Sequence, residues 1–134
     1  MNRKRSREVT MELLFENAIK KEEPIDLIEN FKENTEYNIN DLDMVYINRI
    51  VYGVNKNIKE IDENIEKYLV NWKIQRISKV NLSILRLCTY EILFEEDIPF
   101  KVAINEGVEL AKKYSDEASI KFINGVLDKI AKNN

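Results

Sequence analysis

Apolar side chains recur along this chain three and four residues apart, and nowhere do they alternate for long enough to mark a strand. Helices that share one core are what such a pattern can build. Turn residues agree: 3 Gly and 2 Pro are too few for the many reversals of a sandwich or barrel. With 134 residues, 44% apolar and 34% charged, the composition is globular and sufficient for one domain. The expected fold class is all-α, with about six or seven helices in two small packed bundles.

The stripes give the expected boundaries. Met11, Leu14, Phe15 and Ala18 share one face of a first helix over about 3–20. Pro24 suits the start of a short second helix bearing Ile25, Ile28 and Phe31. Residues 34–40 read as the main internal loop, with Asn40 or Asp41 as a cap for the third helix. From Leu42 the stripe continues through Tyr46, Ile50, Val54, Ile58, Ile61, Ile65 and Tyr68. It predicts one long helix over about 41–69, loosened near Gly53 or Asn55–Asn57. Trp72, Ile74 and Ile77 mark a connector, and Ser78 a cap for a helix burying Val80, Ile84, Leu87 and Cys88. After the break at Asp97-Ile98-Pro99, two more helices are expected over about 100–114 and 117–131, separated and capped by Ser115 or Asp116. One domain over 1–134 is expected, with an N-terminal helical subdomain to about residue 70, a C-terminal one from 71, and the long third helix tying them together.

Much chemistry is excluded by counting. There is no histidine, so imidazole catalysis and the Glu-x-x-His sites of di-iron bundles are impossible. Cys88 stands alone, which rules out a disulfide scaffold and a structural zinc site. On the apolar face with Ile84 and Leu87 it reads as an inert core thiol. The acids Asp41/Asp43 and Glu95/Glu96/Asp97 fall at helix boundaries, where they cap or face solvent, and Arg86 and Glu91 read as members of a satisfied polar network. Gly53, Gly107 and Gly125 are too scattered for a phosphate loop; Gly107 and Gly125 read as sites of close helix packing. No catalytic residue, cofactor or metal is expected. The longest apolar run is four residues, Met44–Ile47, so neither a membrane span nor a secretory signal is expected. The reading is a cytoplasmic protein with a reduced Cys88; the acceptor pattern Asn81-Leu82-Ser83 falls inside a helix and reads as coincidence.

Charge is distributed unevenly. Arg3, Lys4, Arg5 and Arg7 place +4 on the first seven residues, so a net charge of −3 leaves −7 on the other 127. Three of the six arginines lie there, where even placement would put about 0.3. Guanidinium groups grip phosphates with two hydrogen bonds and stack on bases. Cations also oppose the dipole at a helix N-terminus, so these are poorly placed for helix stability. The cluster reads as a flexible probe for a polyanion, against a bland alternative of a solubilising tail. Four neutralised phosphates on a single strand would give a salt slope of about −2.8. Lys121-Phe122, a cation beside an aromatic near a helix start, is a second candidate for contact with backbone and base, or else ordinary core.

The carboxyl-terminal third carries a resemblance. Ile98-Pro99-Phe100-Lys101-Val102-Ala103-Ile104-Asn105-Glu106, then Glu109-Leu110-Ala111-Lys112, then Lys121-Phe122-Ile123-Asn124-Gly125-Val126-Leu127-Asp128 resembles the NusB transcription antitermination family. Ile84-Leu85-Arg86-Leu87 with Tyr90-Glu91 looks like the preceding helix of that family, and Trp72, Arg76 and the arginine-rich start fit as well. The resemblance implies an all-helical, non-catalytic protein that binds single-stranded boxA RNA together with the ribosomal protein NusE. It would act with other Nus factors on RNA polymerase during transcription of ribosomal RNA operons. It implies that Arg3, Lys4, Arg5 and Arg7 are the RNA-binding motif, extended by Lys121 and Phe122. Phe15 matches a position near the NusE contact, and Asn81 one that is commonly acidic in relatives. The competing reading, from another class, is a helical interaction module or homodimer with no RNA role of its own.

Overall fold

Each apolar stripe closes as a helix, and the caps show where. The computed structural model describes residues 2–70 and 73–134, and among them are seven α-helices: α1 (Arg3–Lys20), α2 (Pro24–Asn34), α3 (Met44–Lys56), α4 (Ile58–Lys67), α5 (Lys79–Phe94), α6 (Phe100–Tyr114) and α7 (Glu117–Lys132). Short 3-10 turns span Ile39–Asp41 and Ile74–Arg76. Trp72 lies outside the described residues. Pro24 starts α2, Ser78 caps α5 by accepting from the Asn81 N–H, and Asp116 caps α7 by accepting from that of Ser119.

Two boundaries differ from expectation for local reasons. The expected 41–69 helix divides at Asn57, whose side-chain amide donates to the Gly53 carbonyl at 2.8 Å, beside the backbone bond from Asn57 N at 3.0 Å. Asn57 leaves the helical conformation, at φ −109° and ψ 22°, and serves as both the last cap of α3 and the first of α4. At the other end the cap of α3 is Asp43, which accepts from the Tyr46 N–H, rather than Asn40 or Asp41. Those two belong to the 3-10 turn, and Leu42 is buried between turn and cap.

The centre of the molecule is α5. From Asn81 to Ile92 every residue but Arg86 is buried, so it is covered on all sides. It packs against α1, α3, α4, α6 and α7 and is therefore the tie that the sequence reading assigned to a long third helix. The first half of α1 is nearly as enclosed, Ser6 through Met11 being buried without interruption. The glycine assignments shift as well. A β-carbon on Gly107 would press on Leu127 and Cys88, as expected for close packing, whereas Gly125 has open space beside it. Gly53, read as a loosening point, instead admits the Tyr90 ring. Arg86 and Glu91 are both satisfied, but separately: Arg86 holds Asp62 on α4 through bonds of 2.9 and 2.8 Å, and Glu91 holds Arg7.

Candidate nucleic-acid interface

The amino-terminal cations are presented by a pinned helix, not a flexible probe. Asn2 caps α1 by accepting from the Arg5 N–H, and its own N–H donates to the Asp41 carbonyl at 2.9 Å. The Ser6 hydroxyl donates to the Asn2 carbonyl and accepts from the Asp43 N–H, at 2.7 and 2.8 Å. The first turn of α1 is thereby stitched to the start of α3, about forty residues away in sequence.

The four cations have different situations. Lys4 is exposed and, among the described residues, makes no ion pair. Arg3 donates to Asp43 at 2.9 Å and lies 4.3 Å from the centre of the Tyr46 ring, with 46% of its side chain still exposed. Arg5 is 3.5 Å from Glu8 and 5.4 Å from the Tyr37 ring, 45% exposed. Arg7 is placed differently from the other three. Its side chain is 6% exposed, its Nε and Nη2 donate to the two oxygens of fully buried Glu91 at 3.0 and 2.7 Å, and its Nη1 is 3.7 Å from Glu106. Burial works against the charge, but the hydrogen bonds and attraction of Glu91 outweigh it and hold the guanidinium charged. Arg7 is largely interior, with only an edge on the cleft between α1 and α6.

Around these cations lie groups that the sequence reading did not single out. Arg49 on α3 binds Glu95 through two hydrogen bonds and approaches the same Tyr46 ring as Arg3 and Arg7. Lys4, Arg7, Lys112 and Lys113 share a cleft of about 230 Å³ between α1 and α6 with Glu8, Glu106, Glu109 and Leu110. Lys113 reaches Glu8 at 2.9 Å. One turn along α1, Glu12 accepts from the Tyr114 hydroxyl at 2.5 Å and from that of Tyr37 at 3.4 Å. Burial and this bond push the Tyr114 phenol well above its usual range. The face running from Arg5 through Glu8 to Glu12 is thus joined to the last turn of α6. Helical periodicity places Arg5, Glu8 and Glu12 on one side of α1, but nothing local announces Lys113 or Tyr114 as their neighbours.

The remaining candidates gather farther along. Lys121 is exposed on α7, and Phe122 is half-buried. Phe122 lines a groove of about 400 Å³ with Asn81, Ser119, Asp116, Arg76 and Ile77. Asn81 is held across that groove: its amide nitrogen donates to the Ser119 hydroxyl, and its oxygen accepts from that of Ser115, both at 2.8 Å. The structure brings Phe122, read for RNA, together with Asn81, read for a protein partner. Phe15 is half-buried on α1 and is not among the residues lining that groove. Among the described residues no cluster of acids and thiol is arranged to hold a metal ion, and no helix is long and apolar enough to cross a membrane.

Likeness to known proteins covers nearly the whole chain. The NusB family model matches residues 4–132. A transcription antitermination protein NusB of Clostridium novyi (strain NT) is 55% identical over 132 residues, 98% of this chain and 99% of the relative. Another, of Clostridium botulinum (strain Alaska E43 / Type E3), is 57% identical over the same extent. Among solved structures, T. maritima NusB superposes with a TM-score of 0.84 at 36% identity, covering all of this chain and 93% of that one. NusB from a crystal structure of the antitermination factors NusB and NusE in complex with dsRNA superposes with a TM-score of 0.83 at 30% identity, covering 98% and 96%. Fold, helix order and the amino-terminal arginines thus meet in one conclusion: the chain belongs to the NusB family.

Proposed function

We propose that this chain is a non-catalytic, cytoplasmic transcription antitermination factor that binds single-stranded boxA RNA of ribosomal RNA operon transcripts together with the ribosomal protein NusE. Other Nus factors and RNA polymerase would be engaged through that complex. The observation that carries the proposal is the trio Arg3, Lys4 and Arg5, displayed to solvent on a helix turn that the rest of the fold pins in place. The guanidinium groups of Arg3 and Arg5 keep nearly half of their side chains exposed beside Asp43 and Glu8, so a phosphate can approach either one from the solvent side. Lys121 and Phe122 extend the surface with a second cation and an aromatic face. Phe15 and Asn81 are the residues proposed for the NusE contact. Each partner held by the chain raises the effective concentration of the other, so modest individual contacts give a tight ternary complex. The solved NusB–NusE relative holds dsRNA, which makes a duplex the natural comparison ligand.

Titration with a boxA oligonucleotide, single- and double-stranded, with and without NusE and at several salt concentrations, tests the proposal. Replacing Arg3, Lys4 and Arg5 by Ala is expected to weaken binding without unfolding the domain and to flatten the salt slope by about 0.7 per lost phosphate contact. Unchanged affinity would remove the basic turn from the mechanism. The rival reading of a self-associating interaction module rests on Phe100 and Val102, each 41% exposed at the start of α6. It requires a dimer by light scattering and no RNA affinity.

A further inference from the structure

We infer that Arg7 is a positioning residue of the RNA site: through Glu91 it fixes the rotation of α1 about its axis, and so the directions in which Arg3, Lys4 and Arg5 point. The inference rests on the RNA-binding reading above and divides its basic cluster into three outward cations and one inward strut. Most of the Arg7 guanidinium is engaged, and only its remaining edge lines the cleft shared with Lys4, Lys112 and Lys113. Two parallel hydrogen bonds engage both oxygens of Glu91, Nη1 faces Glu106 at 3.7 Å, and the Tyr46 ring lies 5.7 Å away. Glu91 is bound from a second direction by the Tyr46 hydroxyl at 3.4 Å. A phosphate could take the two hydrogen bonds that Arg7 gives to Glu91 only by leaving that carboxylate, which is 0% exposed, without its cation.

Helix geometry gives the strut its consequence. Successive residues turn by about 100°, so Arg3 and Lys4 lie about 40° and 60° to either side of Arg7, and Arg5 points about 160° away. The structure agrees: Arg3 leans over Tyr46 and Asp43 on the α3 side, Lys4 lines the cleft with Lys112 and Lys113 on the α6 side, and Arg5 faces outward beside Tyr37. With Arg7 fixed on α5, the fan of the other three is fixed too. A lysine at this position would keep the charge but could not hold both oxygens of Glu91 in one plane.

The test compares salt slopes of binding to a single-stranded boxA oligonucleotide for the wild type, Arg3→Ala, Arg7→Lys and the double variant Arg7→Gln/Glu91→Gln, each first shown to be folded by circular dichroism. The double variant removes both buried charges together, so neither is left unpaired. Arg3→Ala is expected to flatten the slope by about 0.7, and the double variant, which frees α1 to turn, to lose affinity on the order of tenfold although it removes no outward cation. Arg7→Lys is expected to lose affinity, on the order of tenfold, with its slope unchanged. Wild-type affinity in the double variant or in Arg7→Lys would overturn the inference, and so would a shift of the wild-type Arg7 Nε–H signal on adding RNA, which would make Arg7 a phosphate ligand. Should the variants not fold, side-chain nitrogen resonances of the wild type decide: RNA is expected to shift the Nε–H signals of Arg3 and Arg5 and leave that of Arg7 in place, and a shift at Arg7 overturns the inference. A wild-type protein that binds no RNA defeats the proposed function itself, and the first titration shows this separately.

Discussion

Tyr90 on α5 lies against the bare Cα of Gly53 on α3, its ring occupying the space that a β-carbon would take. The ring is itself held, tilted against Phe94 with centroids 5.1 Å apart and 8% exposed, so it has little room to swing aside. Gly53→Ala sets the gain from better helix propensity, about 1 kcal/mol, against overpacking of about 1–3 kcal/mol. The expected net is a loss of up to about 2 kcal/mol. Gly125, also inside a helix, has nothing near its missing β-carbon, so Gly125→Ala is expected to stabilise by about 0.5–1 kcal/mol. Thermal unfolding of the two variants checks the contrast, with shifts of opposite sign and roughly 4 °C per kcal/mol.

The helices themselves were legible because they depend on local order. The 3.6-residue period, Pro24, Ser78 and Asp116 are all signals within a few residues of what they determine. The break at Asn57 was half visible: the Asn55–Asn57 segment reads as a weak point, but three asparagines of this stripe, Asn48, Asn57 and Asn64, bond the preceding turn alike and the helix divides at one of them. For the candidate site, composition alone singles out the basic run of Arg3, Lys4, Arg5 and Arg7. The inward turn of Arg7 was not legible, because its partner Glu91 lies eighty-four positions away and a run of basic residues looks the same whichever way one of them faces. Gly53 and Gly125 were misassigned for the same reason, since what a glycine accommodates belongs to the opposite helix.

Acid should weaken the join between the amino terminus and α3. The Tyr46 N–H, followed by Arg3, holds the Asp43 carboxyl below its ordinary value of 3.8, despite an opposing contribution from burial. A carboxyl depressed in the folded state contributes stability that is complete above its unfolded value and is lost as pH falls through the folded one. Wild-type protein is therefore expected to exceed Asp43→Asn in stability by a constant margin above about pH 5, and the margin to shrink as pH falls below 3.8. Urea unfolding of the pair across pH 2.5–7 (about that range spans both limits) measures it; a margin that grows on acidification would contradict the assignment.

Cys88 should be silent in the native protein. It is fully buried against Gly107, and burial, more than the nearby Glu91, pushes its thiol well above the usual range. Labelling by a thiol reagent at mildly alkaline pH is expected to track global unfolding, slow in buffer and rapid in denaturant. Fast labelling of folded protein would mean that α5 and α6 part more readily than their packing implies.

Phe122 and Asn81 share a groove, and their variants should separate the two surfaces proposed to meet there. A base stacked on Phe122 would contribute about 1–3 kcal/mol, so Phe122→Ala is expected to cost RNA affinity roughly five- to a hundredfold. NusE affinity should fall less. Asn81→Ala removes the link between Ser115 and Ser119, whose hydroxyls are partly exposed and can turn to water, so its cost in stability should be modest, about 1 kcal/mol. Its larger effect is expected on NusE affinity. Parallel titrations of both variants with RNA and with NusE, beside their unfolding curves, form the measurement. Equal losses of RNA affinity, NusE affinity and stability in Phe122→Ala would assign that ring to the core alongside Ile123 and Val126, and would leave Lys121 as the one α7 residue of the proposed RNA surface.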